Sequence, residues 1–76
     1  MYTFEKAIYF LGKGFKVRDK KWPDLYYIYN QDSEIFDSQG NLFFHDLQLY
    51  IKVFNDVESA SGSEWELYYE VEDENL

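Results

Sequence analysis

The chain has no cysteine, one histidine and one proline in 76 residues. Without cysteine there is no disulfide framework and no thiolate zinc site. A single histidine excludes a histidine-rich metal centre, and no cofactor is expected. No apolar run approaches the ~18 residues of a membrane span. The N-terminus lacks a basic stretch followed by an apolar one, so no secretory leader is expected. Together these absences predict a soluble intracellular protein of one domain. A chain this short buries only about 60% of its unfolded surface, so its core is small.

Aromatic residues are plentiful: eight Tyr, seven Phe and two Trp make up 22% of the chain. Such a composition argues against disorder. It also explains how a small core can suffice, since each buried aromatic removes ~150–250 Å² from water. Eight tyrosines exceed what that core can hold, so several are expected at the surface or an interface.

The formal charge is −8, and it is unevenly spread. Residues 1–21 hold six bases and two acids, residues 22–52 one base and five acids, and residues 53–76 eight acids and no base. This balance argues against direct binding to nucleic-acid phosphates, which rewards Lys and Arg. It fits either simple solvation or mimicry of a nucleic acid toward a basic protein.

Thr3 is placed to cap a helix over about residues 3–12. Phe4, Ala7, Ile8 and Leu11 fall on one face of that helix, and Gly12 and Gly14 offer two C-terminal stops. Phe15 to Arg18 alternates as a short strand. Leu25 to Tyr29, Glu34 to Phe36 and Leu42 to Phe44 read as strands separated by turns, hence a meander. Leu47 to Phe54 fits both periods: Leu47, Leu49, Ile51 and Val53 alternate, while Leu47, Tyr50, Ile51 and Phe54 fit a helix. Its Tyr, Ile, Val and Phe content favours strand. Ser59 to Ser63 is a loop or a single helical turn, and a final strand covers about 65–71, with an acidic, frayed 72–76 behind it. The expected fold is α+β, one N-terminal helix packed on a small, twisted antiparallel sheet of about five strands.

Catalytic signals are weak. His45 beside a turn is a surface or capping residue before it is a member of a triad, which demands three groups in fixed geometry. The acids at Asp32, Glu34 and Asp37 do not match a calcium loop, and Gly12-Lys13-Gly14 does not match a phosphate loop. Binding is the better class. Arg18 suits bidentate contact with phosphate, and Trp22, Tyr27 and Trp65, with Tyr26 and Tyr29, offer faces on which a purine stacks. The plainer alternative makes both tryptophans core residues and Arg18 a surface charge.

Phe4-Glu5-Lys6-Ala7-Ile8, Leu11-Gly12-Lys13-Gly14, Val17-Arg18 and Trp22, with Ser59 to Leu67 near the end, resemble a family of small phage proteins. That family includes the Thoeris anti-defence 2 proteins and some anti-CRISPR relatives. The resemblance covers both ends of the chain. It implies homo-oligomerisation and non-enzymatic sequestration of a cyclic ADP-ribose-type or cyclic-oligonucleotide immune signal, in the cytoplasm of an infected host cell. Arg18 would then meet phosphate, and Trp22, Tyr27 or Trp65 would wall the pocket. The chain departs from the family pattern at Glu64, where Asp is usual, at Ser61-Gly62-Ser63, and in its acid load. The alternative reading is an acidic inhibitor that occupies the nucleic-acid groove of a basic host defence protein. Asp56, Glu58, Glu66, Glu70, Glu72, Asp73 and Glu74 would form its face, and exposed tyrosines its anchors.

Overall fold

A computed structural model describes residues 1–69. In chain order it comprises α1 (Phe4–Gly12), β1 (Val17–Asp19), β2 (Ile28–Gln31), β3 (Glu34–Asp37), β4 (Leu42–Phe44), α2 (Leu47–Ser61) and β5 (Trp65–Leu67). The five strands form one antiparallel sheet in the order β4-β3-β2-β1-β5. The α+β expectation with the N-terminal helix on the sheet holds.

Helix α1 begins and ends on its own sequence signals. The Thr3 hydroxyl accepts the Lys6 amide at 3.2 Å. At the other end Gly14, at φ +96°, lets the Phe15 amide reach the Phe10 carbonyl and its own amide reach Leu11. This is a Schellman closure, and its usual apolar contact is present as the Phe10–Phe15 ring pair at 5.7 Å. Gly14 is therefore the stop that operates. Phe4, Ala7 and Leu11 are buried while Tyr9 is exposed, so the apolar face is the one the periodicity gave.

The β2–β3 hairpin turns on Asp32 and Ser33, both at positive φ, which is the two-residue turn whose twist matches the strands. The β3–β4 turn is organised by Asp37, whose carboxylate accepts the Gln39 and Asn41 amides at 2.9 and 3.0 Å.

Two expectations are overturned. The strand expected from Leu25 to Tyr29 starts only at Ile28 and runs to Gln31, because Leu25 stands at φ +72°, outside the extended region. Leu47 to Phe54 is not a strand but the first half of the 15-residue helix α2. Asp46 caps it, its carboxylate accepting the Leu49 amide at 2.9 Å. Leu47 and Tyr50 are buried and Ile51 and Phe54 pack against the core, which is the helical reading of the pattern. Leu49 and Val53, half of the alternating reading, are exposed. The helix runs through Ser59 and ends at Gly62, at φ +68°. Asp46→Ala is expected to cost about 1 kcal/mol, the usual worth of an N-cap, read as a lowered urea midpoint at unchanged slope. The final strand is shorter than expected, Trp65–Leu67, although the Tyr68 amide still pairs with the Lys16 carbonyl. The rest of the expected 65–71 span and the acidic 72–76 segment include residues outside the described ones.

Val17, Ile28, Ile35 and Trp65 on one face of the sheet form a single core with Phe4, Ala7 and Leu11 of α1 and Leu47 and Tyr50 of α2. Burial pushes the Tyr50 hydroxyl pKa well up, with the Glu58 and Asp19 carboxylates adding to it. Both helices contribute to that face. By strand alternation, Arg18, Tyr29, Phe36 and Glu66 stand on the other face, and Arg18 pairs in register with Glu66 and Tyr29 with Phe36.

Candidate binding groove

The helix-free face of the sheet carries a row of rings. Tyr68 stacks on Tyr27 with centroids 4.4 Å apart and planes 29° from parallel. Tyr27 approaches Tyr29 at 6.3 Å, and Tyr29 stacks on Phe36 at 5.9 Å. The Lys16 ammonium sits 4.9 Å above the Tyr27 ring. At one end of this row lies an open groove of about 570 Å³, bounded by Pro23, Asp24, Tyr26, Tyr27, Ser38, Gln39 and Tyr68, with Asp24 its one charged side chain. Leu25, at its lip, is 72% exposed and held at φ +72°. For a branched apolar residue this conformation costs roughly 1–2 kcal/mol, strain of the kind that gathers at ligand clamps.

Two buried polar residues fix the walls. The Arg18 guanidinium donates through Nε to the Tyr26 carbonyl (3.1 Å), through Nη2 to the Trp22 and Pro23 carbonyls (2.8 and 3.0 Å), and through Nη1 to Glu66 Oε2 (2.6 Å). It thereby anchors the irregular loop over residues 22–26 to the sheet. Asp37 fixes the opposite wall and accepts the Tyr26 hydroxyl at 3.1 Å, tying the two loops together. Burial alone would raise the Asp37 pKa. The hydrogen bonds from Asn41, Gln39 and Tyr26 outweigh it and hold the carboxyl below its ordinary 3.8. Burial, together with donation to Asp37 and its negative charge, raises the Tyr26 hydroxyl. A carboxyl depressed in the folded state stabilises that state above its unfolded pKa, and the benefit is lost as pH falls through the folded value. Thermal midpoints recorded between about pH 2 and 5 are expected to fall more steeply toward acid for the wild-type chain than for Asp37→Asn.

The sequence-predicted residues therefore part company. Tyr27 lies in the groove. Arg18 does not take the place expected of a phosphate ligand: it is 8% exposed and four of its N–H groups are engaged within the chain. Trp65 is 1% exposed, so it offers no face to a ligand. It sits edge-to-face against Trp22 at 5.2 Å. Trp22 is half-buried among Tyr26, Phe43 and Trp65. Both tryptophans thus belong to the core and its margin, as the plainer reading had them, but Arg18 is buried and not the surface charge which that reading expected.

The acids of the alternative face divide similarly. Glu66 is paired with Arg18, and Glu58 accepts the Ser63 hydroxyl where α2 ends. Asp56 is exposed on α2. Glu70, Glu72, Asp73 and Glu74 lie outside the described residues. A smaller cavity of about 220 Å³ between the start of α1 and the end of α2 is bordered by two carboxylates, Glu5 and Glu58, against one, Asp24, in the groove, so it is the more hostile to an anion.

Sequence reasoning missed Tyr68, Ser38, Gln39 and the Tyr26–Asp37 tie. A signal for Tyr68 was present, because it shares strand parity with Glu66. No local pattern pointed to the tie between two turns. His45 stacks on Phe44 at 5.1 Å and 17°. Among the described residues no group of His, Asp or Glu side chains could hold a metal ion, and no helix is long and apolar enough to cross a membrane. Comparison with family models, with curated proteins and with solved structures finds no match to the chain.

Proposed function

We propose that the chain is a phage anti-defence protein that sequesters a nucleotide-type immune signal, a cyclic ADP-ribose-type molecule or a cyclic oligonucleotide, in the Tyr27–Tyr68 groove. It holds the signal without cleaving it, in the cytoplasm of an infected cell. The observation that carries this reading is the stacked tyrosine pair that walls the groove. An aromatic wall is worth ~1–3 kcal/mol to a stacked base and tolerates any base. The groove's volume lies within the roughly 300–1,000 Å³ of small-molecule sites. The Ser38 and Gln39 side chains add hydrogen-bonding groups beside the rings. Exposed Lys20 and Lys21, on the turn after β1, set some positive charge against the acidic whole.

In this reading Arg18 is a positioning residue that fixes the groove loop. Calorimetric titration of the full chain with cyclic ADP-ribose and with cyclic dinucleotides tests it. Tyr27→Ala is expected to weaken binding about 5–150-fold, the equivalent of one stacked base, while the lost stack on Tyr68 lowers the thermal midpoint by the equivalent of about 0.5–1.5 kcal/mol and leaves the chain folded. Absence of heat with every probe, or equal affinity in the variant, overturns it.

A further inference from the structure

The groove poses a problem for a ligand that carries phosphate. Asp24 is its one charged side chain, and that charge is negative. A carboxylate repels phosphate, so the part of the ligand that lies beside it is the base. Asp24 stands at one corner of a tight turn. The Tyr26 amide closes that turn on the Pro23 carbonyl at 3.1 Å, and Leu25 holds the other corner at φ +72°. A positive φ at the third position fits a type II turn. Arg18 grips both ends, donating to the Pro23 and Tyr26 carbonyls at 3.0 and 3.1 Å. The corner that carries Asp24 is thus held in place by the chain itself. Among the described residues nothing donates to the Asp24 carboxylate and no cation pairs with it.

An unpaired carboxylate beside a stacking wall discriminates between bases by their edges, because both its oxygens only accept. Guanine offers N1–H and the 2-amino group side by side, two donors that fit the two oxygens of one carboxylate. Adenine offers a single donor group, the 6-amino, and beside it the N1 lone pair, which a carboxylate opposes. Guanine also needs a donor for O6, and Ser38 and Gln39 line the same groove. We propose that the groove selects guanine, Asp24 accepting N1–H and the 2-amino group and Gln39 donating to O6. The ligand is then a guanine-bearing cyclic nucleotide with its phosphates turned outward to solvent. This inference rests on the nucleotide reading of the groove and narrows it to one base.

Calorimetric titration of the full chain with cyclic di-GMP, cyclic di-IMP and cyclic di-AMP tests it. The three carry the same charge and differ only in the edge groups of their bases. Hypoxanthine keeps N1–H and O6 but lacks the 2-amino group. The guanine probe is expected to bind about tenfold more tightly than the adenine probe, toward the lower end for a bidentate base contact because Asp24 is exposed. The hypoxanthine probe should bind about threefold more weakly than the guanine one, having lost one hydrogen bond. Asp24→Asn removes a charge, which strengthens every anionic probe alike, so the guanine-to-adenine ratio is the readout. An amide both accepts and donates, and so pairs with the 6-amino group and N1 of adenine. The ratio is expected to fall from about ten to about one or below. As an exposed substitution it should leave the thermal midpoint unchanged. Equal affinity for the guanine and adenine probes, or a ratio unmoved by Asp24→Asn, overturns the selection of guanine and leaves the nucleotide reading in place. Heat with cyclic ADP-ribose alone does the same. Silence with all four probes overturns both.

Discussion

Trp65→Ala is expected to leave the chain at or beyond the edge of unfolding at room temperature. The indole is fully buried at the meeting point of β5, α1 and the loop after β1, with rings of Phe4 and Trp22 at 5.7 and 5.2 Å. Truncating a buried tryptophan costs roughly 3–5 kcal/mol. A domain of this length has only about 4–11 kcal/mol in total. The loss would take most of the margin. Urea denaturation followed by far-ultraviolet circular dichroism checks it. A midpoint shift worth under about 1 kcal/mol, the scale of ordinary exposed positions, would contradict the placement of Trp65 in the core.

Arg18→Ala is the second large effect, and it separates two roles for one residue. As a clamp, Arg18 satisfies three loop carbonyls and one half-buried carboxylate. Glu66 is partly solvated, so the ion pair itself contributes little. The cost comes from the stranded carbonyls and the loosened loop, and totals about 2–4 kcal/mol. Arg18→Lys should recover little of it, because one ammonium cannot replace a planar fork reaching four acceptors. A phosphate ligand at this position would behave differently. Its removal would leave the thermal midpoint unchanged and lower only affinity, and Lys would restore part of that. Midpoints and titrations of the two variants, taken together, decide between clamp and ligand.

The legible parts of the fold were those fixed by neighbouring residues. Helix α1 follows from the spacing of Phe4, Ala7 and Leu11, from Thr3 and from Gly14. The hairpins follow from runs of Asp, Ser, Gln, Gly and Asn between apolar segments. Residues 47–54 misled because β-branched and aromatic side chains outweighed the capping signal. Asp46, the absence of Gly or Pro from 47 to 61 and the stop at Gly62 all spoke for a helix. Burying Tyr50 and Phe54 against the rings of Phe4 and Phe44 completed it.

The candidate site was legible in its residue types more than in its members. Tyr27 was found, but Arg18 and Trp65 carry features shared by ligand contacts and core residues alike. Only tertiary placement separates those roles. The tie between Tyr26 and Asp37 joins turns 11 residues apart, and nothing local announces it.

Native mass spectrometry of the full chain, purified from cells with an active nucleotide-signalling defence, tests the central claim most directly. The account predicts retained mass of nucleotide size on the wild-type chain and its loss from folded Tyr27→Ala. A wild-type chain that carries no such mass, or a Tyr27→Ala chain that retains it in full, would contradict the account.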